Sequence, residues 1–112
     1  MVKYNATNLD NLFHALADPT RRSMLQALAL QNLSIGELAE PFEMSLTAAS
    51  KHIRVLEQAG LINRQVQGRN HICELNAAPM HGGLEWIQHY QRFWNLQLDT
   101  LEQLLQKPDS DS

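Results

Sequence analysis

Between Met44 and Gly60 the apolar residues recur at helical intervals. Ala49, Ile53, Leu56 and Gly60 fall on one face, with Ser45 at the start of the same side. Thr47, Ser50, Lys51, Arg54 and Gln58 fall on the other. The pattern predicts an amphipathic helix over 45–59, with Ser45 as N-cap and Gly60 as the residue just past its end. Its polar face carries donors and cations, and the single carboxylate, Glu57, sits at the edge near the C-terminal end. Upstream, Ser34-Ile35-Gly36-Glu37 has the spacing of a capping box. It opens a short helix with Ile35, Leu38, Ala39 and Phe42 inward, which Pro41 bends or ends. Two short helices so tightly joined predict a helix-turn-helix, with 45–59 as the recognition helix. After Gly60, two β-prone runs, 61–66 and 71–75, flank the polar Gln67-Gly68-Arg69-Asn70 and predict a hairpin. The expected fold is mainly α with a small β-hairpin: a winged helix-turn-helix, with the wing over 61–75.

The rest of the chain extends this frame. Leu9, Leu12, Phe13 and Leu16 mark a first helix, capped by Thr7 or Asn8. Asp18-Pro19 opens a second, whose core face is Met24, Leu25, Leu28 and Ala29. Arg21 and Arg22 stand in its first turn, where the helix dipole disfavours cations. Residues 76–83, with Pro79, Gly82 and Gly83, read as a connector. A long helix over 84–106 follows, striped by Ile87, Tyr90, Trp94, Leu98, Leu101 and Leu105 and widened by Trp86, Phe93 and Leu104. A domain this small has too little interior to cover such a helix, so a second copy is expected to do so. The dimer surface would join Leu9, Leu12, Phe13 and Leu16 to that stripe. A single domain then spans 1–106, and 107–112 forms a frayed acidic tail.

Composition narrows the function. A chain of 112 residues with 44% hydrophobic content is one globular domain rather than a disordered segment. No apolar run approaches the ~18 residues that a membrane span needs, so no membrane partner is expected. The first residues lack the apolar core of a signal peptide. The single cysteine excludes an internal disulfide and fits a cytoplasmic protein. The net charge of −3 looks wrong for a nucleic-acid binder until it is divided along the chain. Residues 1–44 carry −2 and residues 74–112 carry −4, whereas 45–73 carry +3 through Lys51, Arg54, Arg64 and Arg69 against Glu57. Positive charge is confined to the recognition helix and hairpin, and DNA affinity needs a local basic surface, not a basic protein. The plainer alternative is that four cations make an ordinary solvated face.

The runs 13–22 (with Asp18-Pro19-Thr20-Arg21-Arg22), 35–39 and 50–62, together with the wing Gly68-Arg69, closely resemble the ArsR/SmtB family of bacterial winged-helix repressors. The likeness extends in order from about Leu9 to Leu105. It implies a homodimer that binds double-stranded operator DNA through the major groove. In many members a metal ion or another inducer, here an unknown small molecule or protein, releases the DNA. Thr47, Ser50 and Lys51 are the expected base readers, and Arg54 and Arg69, with Gln67 and Asn70 beside the latter, the phosphate contacts. Ser45, Leu46 and His52 complete the expected DNA-binding set. Family members often have a proline or small residue where this chain has Thr47. Arg22 is expected to pair with an acidic residue, a phosphate contact by Arg21 being the alternative.

Other chemistries lack the residues they need or have them only in part. The family's cysteine metal site would fall on Ser34 and Gly36, neither of which can supply a thiolate. The C-terminal helix has no Asp-x-His, although Glu85 and His89 are four apart with His81 one turn earlier, so a metal-responsive repressor is an alternative. Cys73 falls on the side of Leu75 and is expected to be buried; a redox response would need it exposed beside a cation. Trp86, Tyr90, Phe93 and Trp94 could line a ligand pocket, but aromatics at helical spacing are more often core or interface. No cofactor is expected, nor an enzyme: the chain has neither a Gly-rich phosphate loop nor a Gly-x-Ser-x-Gly elbow. The remaining alternative is a winged-helix module that docks protein, for which Leu46 is the one apolar anchor.

Overall fold

The computed structural model describes residues 6–106. The expected tail at 107–112 and the first five residues lie outside them. The elements run α1 (Ala6–Leu16), α2 (Pro19–Leu30), β1 (Leu33–Ser34), α3 (Ile35–Ala39), α4 (Leu46–Gln58), β2 (Ile62–Gln67), β3 (Asn70–Leu75) and α5 (Ala78–Gln106). Polar caps set most of the boundaries. Asp18 is extended and accepts the Arg21 amide at 3.0 Å, with Pro19 following where no amide is needed. Ser34 Oγ accepts the Glu37 amide at 3.1 Å, and Glu37 Oε1 accepts the Ser34 amide at 2.9 Å, closing the capping box. Ser45 Oγ accepts the Ala48 amide at 3.1 Å and starts α4. Gly60, at φ +75°, ends it, and the Leu61 amide returns to the Leu56 carbonyl.

The sheet is antiparallel in the order β1-β3-β2. Its hairpin turns at Gly68, where φ is +66°. Two-residue β1 pairs Leu33 with Cys73 and Ser34 with Ile72, tying the start of the helix-turn-helix to the wing. The core forms where the helices meet this sheet: Leu12 and Ala15 of α1, Met24, Leu25 and Leu28 of α2, Leu38 of α3, Ala49, Ile53 and Leu56 of α4, and Leu61, Ile62 and Cys73 of the wing. Cys73 is buried, as its strand position implies.

The structure departs from expectation at four places. Helix α1 is already under way at Ala6, so neither Thr7 nor Asn8 caps it. Leu12 is 2% exposed inside the protomer and has no surface to offer a partner. Of the expected α2 core face Ala29 is exposed, and Arg21 joins the buried face instead. Residues 78–83 are not a connector but the first turns of α5. Asn76 explains that start: its Oδ1 accepts the Ala78 amide at 3.2 Å and its Nδ2 donates to the Gly60 carbonyl at 2.9 Å. Pro79 then lies in the first turn, where its missing N–H costs nothing. Gly83 is buried against α1, and a Cβ there would penetrate Leu12 Cδ2. The glycine marks a close approach of two helices, not a turn.

No helix among the described residues is long and apolar enough to cross a membrane. Gly83→Ala should lower stability, because the intruding methyl displaces a core leucine at about 1–3 kcal/mol. Better helix propensity returns at most ~1 kcal/mol of that. Denaturant unfolding at fixed protein concentration checks it, and a variant more stable than the parent would contradict the packing described.

Candidate nucleic-acid interface

The inward face of α4 consists of Ala49, Ile53 and Leu56, none of which reaches solvent. The opposite face is therefore held outward. Thr47, Lys51, Arg54 and Gln58 are exposed, and Ser50 is partly so. Ser45 is exposed, but its hydroxyl is engaged as the cap. Leu46 begins the helix and is 61% exposed. At the wing tip Gln67, Gly68, Arg69 and Asn70 are all exposed, with Gln67 and Asn70 facing each other across the turn. Val66 beside them is an exposed apolar residue that periodicity had not singled out, because in an alternating strand it simply points outward.

Electrostatics trims the basic patch. Arg64, counted with it from sequence, makes a bidentate ion pair with Glu57: Nη2 to Oε1 at 2.6 Å and Nε to Oε2 at 3.1 Å. Its Nη1 also lies 3.3 Å from His71 Nδ1. Glu57 and Arg64 cancel, and no carboxylate among the described residues pairs with Lys51, Arg54 or Arg69. Three cations per protomer, two on the helix and one on the wing, make the available positive surface.

His52, expected with the DNA-binding set, is turned inward. It is half-buried, and its Nδ1 lies 3.2 Å from Arg21 Nη1. Arg21 is itself buried, donating from Nε to the Ala15 carbonyl and from Nη2 to the His14 carbonyl, each at 2.8 Å. In the Asp-Pro-x-Arg-Arg run it is Arg22 that departs from expectation, and Arg21 is not the exposed phosphate contact given as the alternative. Arg22 does not pair with an acid; its Nη1 donates to the Leu16 carbonyl at 2.6 Å. Arg21 and Arg22 together satisfy the last carbonyls of α1, where a cation also meets the negative end of the helix dipole. The sequence signal was the adjacency of two arginines to a helix C-terminus, which only the tight α1–α2 joint makes meaningful.

The Arg21 amide at its oxygen holds the Asp18 carboxyl below its ordinary value of 3.8; partial burial opposes this, and the charges of His52 and Arg21 assist. For Cys73, burial pushes the thiol up, Arg64 pulling it down and Glu57 raising it further. A buried, protonated thiol is a poor redox sensor.

The remaining apolar surface lies on α1 and α5. Leu9, Phe13 and Leu16 are half-buried, and Phe13 meets Trp86 edge-on with ring centroids 5.7 Å apart. Trp86 and Tyr90 lie 4.5 Å apart. Ile87, Tyr90, Phe93, Trp94, Leu98, Leu101 and Leu105 are exposed along α5. The aromatics lie along an open helix face rather than around an enclosed chamber. Among the described residues no three of His, Cys, Asp and Glu stand close enough to hold a metal ion.

A short helix closed by a cap at its N-terminal end, an outward donor-and-cation face and a basic hairpin define a winged helix-turn-helix protein. Comparisons agree. The family described as "Helix-turn-helix domain" matches residues 16–65. The chain is 33% identical to the HTH-type transcriptional regulator Rv2034 of Mycobacterium tuberculosis, over 92% of this chain and 94% of that one. It is 30% identical to the transcriptional repressor SdpR of Bacillus subtilis, over 73% and 91%. The crystal structure of an ArsR family transcriptional regulator, RHA00566, superposes with a TM-score of 0.78 at 37% identity, covering 82% of this chain and 95% of that one. The chain belongs to the ArsR/SmtB family of winged-helix transcriptional regulators.

Asp18 ties stability to pH. Because its folded carboxyl is held below the ordinary value, it contributes stability that is present above about pH 4 and lost as pH falls through the folded value. Asp18→Ala should cost about 0.5–2 kcal/mol near neutrality, as other N-cap deletions do. Unfolding curves of both proteins should converge as the pH is lowered through the carboxylate range; a constant gap would show that the carboxylate is not the cause.

Proposed function

We propose that this chain is a sequence-specific transcriptional repressor that binds an inverted-repeat operator in double-stranded DNA as a homodimer. The carrying observation is the exposed Thr47, Ser50, Lys51 and Arg54 face of a helix whose other side is fully buried. In each half-site α4 enters the major groove, and the two copies lie one helical turn, about 34 Å, apart. Thr47 and Ser50 sit near the N-terminal end of α4 and, with Lys51, read base edges. Arg54, one turn on, meets phosphate, and Arg69 does so from the wing tip with Gln67 and Asn70 beside it. Ser45 contributes by starting the helix at the groove, and Leu46 by its exposed methyls at that end. Regulation of transcription is the role that the names of the relatives carry, repression being that of the Bacillus protein. Such a protein works in the cytoplasm.

The dimer is supported by the apolar surface of α5. At 29 residues it is about 43 Å long, and everything beyond Trp86 is exposed in the protomer. Ile87, Tyr90, Trp94, Leu98, Leu101 and Leu105, with Leu9, Phe13 and Leu16 of α1, are the surface a second copy covers. Residues 6–106 act as one unit in this assembly. An inducer, if the protein answers one, is not a metal held by thiolates, because Ser34 and Gly36 stand at those positions.

Light scattering at micromolar concentration should give twice the chain mass; a stable monomer there would overturn the dimer. A salt titration on selected and scrambled duplexes tests the contacts. Arg69→Ala removes one phosphate contact from each protomer and should reduce the slope of log affinity against log salt by roughly two. Thr47→Ala or Ser50→Ala should instead relax preference at one base pair per half-site, by about 1–3 kcal/mol. An unchanged slope for Arg69→Ala, with Thr47→Ala and Ser50→Ala weakening both duplexes equally, would refute this division of roles.

A further inference from the structure

Arg21 is the one charged side chain in the core among the described residues, 9% exposed. A guanidinium has five donors and no acceptor. Two of its nitrogens donate to backbone carbonyls at the end of α1, those of His14 and Ala15. The third, Nη1, reaches 3.2 Å to His52 Nδ1, on the middle of α4 and 31 residues away in sequence. Since arginine cannot accept, that contact is a hydrogen bond only when Nδ1 is bare: a neutral imidazole with its proton on Nε2. One side chain thereby joins the last turn of α1 to the helix that presents Thr47 and Ser50.

We infer that Arg21 and His52 are a positioning pair for DNA binding: neutral His52 fixes α4 against the C-terminal turn of α1, and protonating that ring releases it. This rests on the repressor reading above. The charged groups facing the ring come from the start of α2: Arg21, and Asp18, whose Oδ2 stands 3.9 Å from the same nitrogen. From α1 the approach is through backbone carbonyls, the His14 residue itself being exposed. The other elements packed on α4 use their charges elsewhere: Glu37 caps α3, Glu40 is exposed, and Arg64 of β2 pairs with Glu57. Once protonated, Nδ1 is a donor pointed at a guanidinium. It loses Arg21 and turns to Asp18, whose oxygen already receives the Arg21 amide. The middle of α4 is then tied to the cap of α2 instead of, through Arg21, to the end of α1, while its buried apolar face keeps its roll.

The test uses the full-length chain, a duplex that it selects from a randomised DNA pool, and the variants His52→Asn and His52→Leu. Asparagine offers an amide oxygen near the place of Nδ1 and does not titrate; leucine removes the acceptor. From about pH 7.5 to about 5.5 wild-type affinity should fall roughly tenfold, while His52→Asn stays within about twofold. His52→Leu should be weak at both ends, and if it fails to fold, the asparagine arm decides. His14, His71, His81 and His89 are shared by all three proteins, so the difference between their profiles is what counts. Long-range proton–nitrogen NMR of the free protein gives a readout independent of DNA, and should show His52 as the Nε2–H tautomer. A Nδ1–H tautomer overturns the pairing, and an acid-side loss equally large in His52→Asn overturns the positioning role. Failure to select any duplex, with the tautomer as expected, overturns the DNA reading and the positioning role with it.

Discussion

Ala49, Ile53 and Leu56 occupy one side of a single short helix and are wholly shut off from water, and the usable surface of the protein is set by that burial. Rolling α4 by one residue would carry Arg54 toward the place of Ile53 and lift a core aliphatic into solvent. An unpaired charge in such a core is far costlier than any groove contact is worth. The three residues pack where α1, α2, α3 and the root of the wing converge, so the orientation of Thr47 and Lys51 is decided by side chains that never touch a ligand.

Two polar links act on this apolar clamp from opposite ends of the motif. Glu57 and Arg64 join α4 to the first wing strand through paired hydrogen bonds, with side chains about a quarter exposed. Pairs of that kind add little to stability, but their geometry is directional. Arg21 works from the other side and deeper, where two backbone carbonyls and the His52 ring take up its donors and offset part of the cost of burying a cation. Apolar packing therefore fixes how far α4 is rolled, and the polar links fix what it is attached to.

The winged helix-turn-helix was legible in the sequence because its signals are local. A capping box at Ser34 and Glu37, a serine before α4, a glycine after it and a Gly-containing hairpin turn each act within a few residues of themselves. What escaped was set by residues distant in the chain. Gly82 and Gly83 read as turn formers, yet Gly83 is where α1 and α5 touch, and only the tertiary approach of Leu12 gives it that meaning. The two-residue β1 is too short to show any alternation. Arg64 was counted with the basic surface and Arg21 appeared only as an alternative phosphate contact, since neither burial nor a partner six or more residues away leaves a trace in periodicity. His52, next to Lys51 in sequence, is 100° away on the helix and faces the protein.

The ion pair at the root of the wing has a further consequence. With Glu57 holding Arg64, the root of the hairpin is tied to the end of α4, which constrains the span from Thr47 to the backbone of the wing turn. On the DNA reading given above, a base edge in one groove and a phosphate beyond it are then met by two ends of a caliper. Such a device measures the width of the duplex as well as its letters. Sequences that never touch the protein would still be sorted, according to how easily their grooves adopt that one spacing.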